Sequence, residues 1–544
     1  MTETKLSASG LRGAVVSIEK NASETGIAIL KQGGNAIDAA VAMAFVLAVT
    51  HPFAGNLGGG GFMLLRLANG EEVALDFREM APGRATPDMF LKPDKTVDSE
   101  KAAFGYLVAA VPGTVKGLET AWQKYGTLPW KTLLAPSIKL AQHGIYLNQY
   151  DVAELQKYQS SLTRFPESRK IFFKANGQPY ESTDLFKQPD LARTLKAISR
   201  YGAKTFYEGR LAAKIVADFR ENGGILSKKD LKNYVVKIRK PIKTQYKGYE
   251  VMGMPLPSAG GVSLLKLLHI LDQSKFSNNP LDPENLHVLI ESMRYVFLDR
   301  TKYLGDSDFV EVPVAELLSQ ESTVAVATQI NLEKATRSET LSGKVSVHKE
   351  NIETTHFSVM DEACNMVATT ITLEDGFGSK AVVKDLGFLL NSEMHDFNIN
   401  PYQKNMQGGV GSDPNGIAPY KRMLSSMTPT LVLKDNKPFL ITGSPGGRTI
   451  VNTVLQVFLG LTTYGLSLKE ALRLPRLSHL WVPDFVHLEK DSWPTELIEA
   501  LEAKGHTIKI GDYLGDAHSI WRNPLTGEYE AEADPRRNGW AEAF

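Results

Sequence analysis

The chain predicts an α+β fold in which helical layers stack on an antiparallel or mixed sheet. Three observations lead there. Strand patterns come as hairpin-connected pairs at 62–77, 355–373 and 431–442, whereas helical patterns concentrate between 112 and 310. After residue 353 a polar stretch gives way abruptly to paired strands. Helices segregated from hairpins favour stacked layers over a doubly wound parallel sheet, which needs strands and helices in alternation.

The elements follow in order. Residues 21–33 read as a helix opened by Asn21 or Ser23 and closed at Gly33-Gly34. Residues 35–49 form a second helix, apolar on nearly every side after Asp38 and therefore buried. Strands at 62–67 and 73–77 flank Asn69-Gly70, which supplies the positive φ angles of a two-residue turn. The four glycines 58–61 precede a strand rather than opening a helix, so close backbone packing explains them better than a phosphate cradle. Asp282-Pro283 starts the best helix, with Leu286, Leu289, Ile290, Met293, Val296 and Phe297 on one stripe. Residues 337–353 hold four apolar side chains in seventeen and read as an exposed, flexible segment. Strands then follow at 355–361 and 366–373, and at 431–433 and 439–442 across Asp435-Asn436. A buried helix at 451–464 and strands at 519–522 and 528–531 complete the chain.

Composition narrows the function classes. The 544 residues amount to roughly three domains, or one or two large ones. With 61 basic and 61 acidic side chains there is no global basic field for nucleic acid. A single cysteine, Cys364, excludes an internal disulfide and a Cys-cluster metal site. The longest nearly uncharged run, 39–49, is well short of the ~18 residues of a membrane span. Residues 1–20 show no charged region leading into an apolar one, so no export signal is visible. An enzyme without a metal or cofactor is expected.

The common catalytic signatures are missing: no G-x-S-x-G elbow, no H-E-x-x-H and no Walker A loop. What stands out is Glu353-Thr354-Thr355-His356, where the polar stretch meets a core strand. Cleavage there would leave Thr354 as a chain end held by a rigid sheet. A terminal α-amino group titrates near ~8, so it can take the proton of its own hydroxyl at neutral pH, and no separate base is required. Residues 443–447 end a strand before a helix and can turn backbone N–H groups towards an oxyanion. Residues 422–427 can offer paired hydroxyls to a carboxylate. An ordinary turn and a buried loop are the alternatives for these two segments.

Nine motifs occur in the order found in one family: GGNAIDA (33–39), GGGGF (58–62), DFREMAP (76–82), VPG (111–113), PSAGG (257–261), YLGD (303–306), TTH (354–356), LSSM (424–427) and GSPGG (443–447). Across nearly its whole length the chain resembles the γ-glutamyltranspeptidases (glutathione hydrolases), members of the N-terminal-nucleophile hydrolases. The resemblance implies a four-layer αββα sandwich and cleavage between Glu353 and Thr354. The fragments, 1–353 and 354–544, would remain associated as large and small subunits of one intertwined unit. It implies Thr354 as nucleophile, Thr372 as the threonine that helps activate it, and Gly446 and Gly447 as the oxyanion-hole pair. Arg78, Ser425 and Ser426 match the residues that hold the substrate's α-carboxylate. Asp396, with Glu393 and Glu374, matches those that hold its α-ammonium. A planar guanidinium suits the carboxylate because it meets two oxygens at once.

The implied partners are γ-glutamyl compounds and amino-acid or peptide acceptors, and the implied location is periplasmic or secreted. Four positions depart from the family pattern. Glu374 stands where several relatives carry Asn, Met423 replaces a proline, and Cys364 occupies a turn position usually held by Gly. Residues 398–412 match a lid loop in length, with Gln407 in place of its aromatic residue. Two other readings compete. One is an acylase for glutaryl side chains of β-lactams, which has no ammonium to hold; the other is an unprocessed binding protein for γ-glutamyl compounds.

Overall fold

All fifteen residues of the helix Ala36–Thr50 are buried, so this helix must be covered on every side. It lies between a sheet and the helices Lys20–Lys31, Thr114–Tyr125 and Trp130–His143. Asn35 caps it, accepting from the backbone N–H of Asp38 while Asp38 accepts from that of Asn35. The preceding helix starts one residue earlier than its sequence suggests. Its cap is Glu19, whose carboxylate accepts from Ala22 N at 3.0 Å, rather than Asn21 or Ser23. The computed structural model describes residues 4–342, 353–402, 413–537 and 539–544. Most of the polar stretch and of the expected lid, Gln407 included, lies outside them.

Fourteen strands build two seven-stranded sheets, antiparallel throughout. In chain order they are β1 (Ser7–Gly10), β2 (Gly13–Ser17), β3 (Gly60–Arg66), β4 (Glu72–Phe77), β5 (Lys237–Arg239), β6 (Ile242–Tyr246), β7 (Tyr249–Gly253), β8 (Glu353–Asp361), β9 (Met366–Glu374), β10 (Thr430–Lys434), β11 (Lys437–Thr442), β12 (His518–Arg522), β13 (Tyr529–Ala533) and β14 (Trp540–Ala543). The first sheet runs β14-β2-β8-β9-β3-β4-β5 and the second β1-β13-β12-β11-β10-β7-β6. Each therefore mixes strands from before and after residue 353.

Side chains of the first sheet alternate between two cores, as the two-residue strand period requires. Met63, Leu65, Phe357, Val359 and Val367 join the first helical layer. Phe62, Leu64, Met360, Met366 and Ala368 pack instead with Val251, Leu431, Val432 and Ile441 of the second sheet. Beyond that sheet lie the helices Ala259–Asp272, Pro283–Tyr303 and Ile450–Thr462. Helix, sheet, sheet, helix is the αββα order. The region 112–310 is less purely helical than expected, because it supplies β5, β6 and β7.

Turn chemistry set two hairpins differently. Asp435 and Asn436 both take positive φ, at 52° and 60°, so β10 and β11 are joined by a two-residue turn. At Asn69-Gly70 only the glycine does so, at 87°, and Leu67 N donates to Glu71 O. That loop has three residues, with Gly70 in the left-handed position. The glycine run is packed as expected, and two of its members lie inside β3. A Cβ on Gly59 would meet Thr372 O at 2.1 Å, and one on Gly61 would meet Thr370 O at 2.2 Å.

A buried histidine cluster links the helix Pro283–Tyr303 to the C-terminal part. His287 Nδ1 and His506 Nε2 are 2.8 Å apart, His479 lies 3.3 Å from Asp484, and Arg294 also pairs with Asp484. Burial holds His479 down to about 4, and burial together with His287 and Arg294 holds His506 down to about 3. Unfolded, both titrate near ~6.5, so below that pH the unfolded chain binds protons the folded one refuses. Stability is therefore fully present above about pH 6.5 and falls on acidification, by about 2 kcal/mol per histidine at pH 5. His506→Asn should lose less stability than wild type between pH 7.5 and 5, read as the difference in melting-temperature change between the two proteins; an identical change in both would clear the cluster.

Candidate active site

β8 and β9 place two threonines side by side. Glu353 pairs with Glu374 and Thr355 with Ile371, so Thr372 and Leu373 together oppose Thr354 in a β-bulge. Bulges re-aim side chains, and this one brings Thr354 Oγ1 to 3.4 Å from Thr372 Oγ1. The Thr372 hydroxyl accepts from Thr354 and from Glu374 N at 2.8 Å, and it donates to the Glu353 carbonyl at 3.0 Å. One hydroxyl thus touches both the attacking group and the carbonyl of the Glu353–Thr354 peptide. Glu374 closes the bulge with φ of 80°, a left-handed backbone unusual for Glu and characteristic of strained functional positions.

Thr354, Thr372, Glu374, Arg78, Asp396, Ser425, Ser426 and Gly447 line one open cavity, with Met427 and Ile450 as its apolar wall. Gly447 opens a 3-10 turn before the helix Ile450–Thr462, with φ of 53°. Gly446 and Glu393 are not on the wall. A Cβ on Gly446, where φ is 132°, would meet Thr449 Oγ1 at 2.8 Å. Glu393 is fully buried behind Arg78, 2.7 Å from its Nη1.

Arg78 leaves the end of β4 and is held there by Tyr234, whose hydroxyl donates to Arg78 O at 2.8 Å. Its guanidinium meets Glu393, Asp396 at 2.5 Å and Glu79 at 3.6 Å. Burial works against its charge, but Glu393, Asp396 and Glu79 outweigh it and hold Arg78 protonated. Burial pushes the Glu79 carboxyl up to about 8 despite Arg78, and Glu393 well above the usual carboxylate range. Asp76 does not touch the Arg78 guanidinium; it pairs with Arg239 and Arg422. Glu393 and Asp396 share the 3-10 turn Glu393–Asp396, anchored by Asn391, which accepts from Glu393 N and donates to Gly58 O. Glu374 accepts from Ser392 at 2.6 Å and lies 3.1 Å from His395 Nδ1. Burial opposes a charge on His395, but the hydrogen bond and charge of Glu374 outweigh it and raise His395.

The serine loop is braced by the 257–261 motif. Ser425 N donates to Pro257 O and Ala259 N to Ser425 O, at 2.9 and 2.7 Å. Met423 is buried in a cluster with Met394 and Phe397, and its carbonyl faces Arg78 Nε at 3.4 Å. Cys364 is half-buried in the β8–β9 turn with φ of 67°. Two site groups lay beyond sequence reasoning. Arg300 donates to Ser426 Oγ at 2.8 Å, although in the last helical turn a basic residue reads as a dipole complement. Glu79 reads as an ordinary salt-bridge partner, yet its carboxyl is fully buried and 3.6 Å from Arg78 Nη1.

Residues 22–544 match the sequence profile of the family gamma-glutamyltranspeptidase. The chain belongs to that family. It is 42% identical over 529 residues to the glutathione hydrolase proenzyme of Escherichia coli (strain K12), covering 96% of this chain and 90% of that protein. Among solved structures, the cephalosporin acylase of Bacillus halodurans superimposes with a TM-score of 0.88 at 26% identity, over 100% of this chain and 98% of that one. The γ-glutamyltranspeptidase of Helicobacter pylori gives 0.58 at 43% identity, over 62% of this chain and 94% of that one. Among the described residues, no helix of this γ-glutamyltranspeptidase relative is long and apolar enough to cross a membrane, and no cluster of metal-ligating side chains is present.

Proposed function

We propose that this protein is a self-processing γ-glutamyl hydrolase/transferase acting on glutathione and related γ-glutamyl amides, with Thr354 as nucleophile. The observation that carries the reading is the Thr354–Thr372–Glu353 carbonyl chain on the same cavity as Arg78 and Asp396. In the unbroken chain, Thr354 Oγ attacks the Glu353 carbonyl carbon, polarised by the Thr372 hydroxyl. The C–N bond breaks, the proton passes to the Thr354 nitrogen, and water hydrolyses the resulting ester. That leaves a 1–353 subunit ending in Glu353 and a 354–544 subunit beginning with a free amine.

The same hydroxyl then turns over substrate. Its new α-amine takes the proton, and Oγ attacks the γ-carbonyl of the donor. Gly447 and Gly446 supply backbone N–H groups to the oxyanion, and the amine leaves with a proton. Water or an acceptor amine resolves the γ-glutamyl ester. Ser425, Ser426 and Arg78 receive the α-carboxylate, while Asp396 and Glu374 receive the α-ammonium and Glu393 holds Arg78 in place from behind. The relative from Escherichia coli carries the name glutathione hydrolase proenzyme, which supports both a processed precursor and this substrate class. A denaturing gel should resolve two bands, the smaller beginning Thr-Thr-His-Phe, from protein that releases nitroaniline from γ-glutamyl-p-nitroanilide. A single band in active protein would refute the reading.

The likeness to a cephalosporin acylase keeps the glutaryl reading in play, and Asp396 decides between them. Arg78 and Asp396 are paired with each other at 2.5 Å. A zwitterionic γ-glutamyl group exchanges that pair for two, carboxylate on Arg78 and ammonium on Asp396. A glutaryl group brings no cation, so it draws Arg78 away and leaves a carboxylate uncompensated. Asp396→Asn should lower kcat/KM for γ-glutamyl-p-nitroanilide by about 10²–10³, the range for breaking a buried charge pair. Activity on glutaryl-p-nitroanilide should change far less, and a parallel loss on both donors would show that Asp396 is structural.

A further inference from the structure

The residue before the proposed cleavage point carries a buried carboxylate whose cation comes from the far end of the chain. Glu353 is 4% exposed, and its Oε2 lies 3.5 Å from Arg537 Nη1. Arg537 sits in the turn between β13 and β14, and its guanidinium also covers the ring of Tyr150 at 4.9 Å. The other charges acting on Glu353 are mostly unfavourable. Glu154 and Lys157 act from the helix Gln149–Lys157, and Asp375 acts from the end of β9. Lys157 is already engaged with Glu154 at 3.0 Å. Asp516 also lies close enough to act on Arg537. Burial pushes the Glu353 carboxyl up, and Arg537 is the largest influence drawing it back.

We infer that Arg537 is a positioning residue for self-cleavage: by pairing with the Glu353 side chain it holds the carbonyl of the same residue against the Thr372 hydroxyl. This rests on the self-processing reading above. The physical link is short. Side chain and carbonyl of Glu353 are joined through one Cα at the first residue of β8, where the Glu374 register pair and the Thr372 hydroxyl hold the strand end. Without a cation, the ionised carboxylate gains by turning towards water, because an unpaired buried charge is strongly unfavourable. That movement carries the carbonyl off Thr372 and away from Thr354. Arg537 belongs to the 354–544 part and Glu353 to the 1–353 part, so the contact spans the two future subunits.

The test follows conversion of freshly folded full-length chain into two bands. Arg537→Gln should slow conversion at least tenfold at pH 8, and the gap to wild type should narrow as the pH falls, because burial raises the Glu353 carboxyl. In the double variant Glu353→Gln/Arg537→Gln no charge is left to pair, so conversion should return to within threefold of Glu353→Gln alone. Turnover per exposed N-terminal threonine should be unchanged in whatever fraction of Arg537→Gln has matured. Wild-type speed in Arg537→Gln, or a double variant as slow as the single one, would overturn the inference while leaving self-processing intact. A wild-type chain that never divides would overturn both. Should Arg537→Gln not accumulate, the double variant carries the test alone: if it too fails to fold, Arg537 is structural and the inference is wrong.

Discussion

A chain carrying Thr354→Ala runs as one full-length band and turns over no γ-glutamyl-p-nitroanilide, a loss of at least about 10⁴-fold by analogy with other removed nucleophiles. Both defects have one cause. In the proposed mechanism the hydroxyl that attacks the Glu353 carbonyl in the precursor is the hydroxyl that attacks the donor in the mature enzyme, so no second residue can separate them. The fold should survive. Among the described residues Thr354 Oγ1 makes one long hydrogen bond, of 3.4 Å to Thr372, and the β-bulge that presents it is made by backbone register rather than by the side chain. The stability cost of the substitution should therefore be about 1 kcal/mol, the size of one hydrogen bond and a methyl group. Thr354→Ser keeps a hydroxyl on the same bulge and should both mature and turn over. Cleaved Thr354→Ala protein would place the nucleophile elsewhere, and turnover by an uncleaved chain would remove the need for a terminal amine.

How far this site can be read from the sequence depends on whether the deciding interaction is local. The hairpin across Asp435-Asn436 and the helix at Asp282-Pro283 were legible because turn and cap chemistry are written in adjacent residues. Thr354 was singled out for a related reason: a polar stretch running into a core strand marks a place where a chain can be opened. The edge strands β5 and β6 were not. Lys237, Arg239 and Lys243 look like loop residues, and their sheet partners make them strands, as charged edge strands commonly are. Resemblance supplied Arg78, Asp396 and the serine pair as a set, but not their arrangement. That Glu393 stands behind Arg78, that Arg300 supports Ser426, and that Glu353 meets Arg537 are contacts between residues 126 to 315 positions apart, or 184 in the last case. No sequence period reports such contacts.

Arg78→Lys should separate substrate recognition from maturation. Lysine keeps the positive charge among Glu79, Glu393 and Asp396, so the buried carboxylates retain a cation, and the chain should fold and divide. What it loses is the planar fork. Arg78 uses Nη1 for Glu393 and Nη2 for Asp396, and its Nε faces Met423 O, so one rigid group fixes three directions at once. A lysine ammonium can satisfy one or two of these carboxylates, but it cannot also present two parallel N–H groups to an incoming α-carboxylate. Recognition of the donor then rests on Ser425 and Ser426 alone. Losing a bidentate, charge-assisted pair inside a buried site corresponds to about 3 kcal/mol or more, or at least about 10²-fold in kcat/KM. Arg78→Ala should behave differently. It leaves the Asp396 carboxylate, and the two buried acids Glu79 and Glu393 behind it, without their shared cation, a defect of the kind that costs about 3–5 kcal/mol, so its precursor should be unstable before substrate is considered. Measuring band conversion, melting temperature and donor kcat/KM in parallel distinguishes the two. If the lysine variant loses maturation and donor turnover to the same degree, Arg78 organises the fold of the site, and the carboxylate of the donor must be held by other groups.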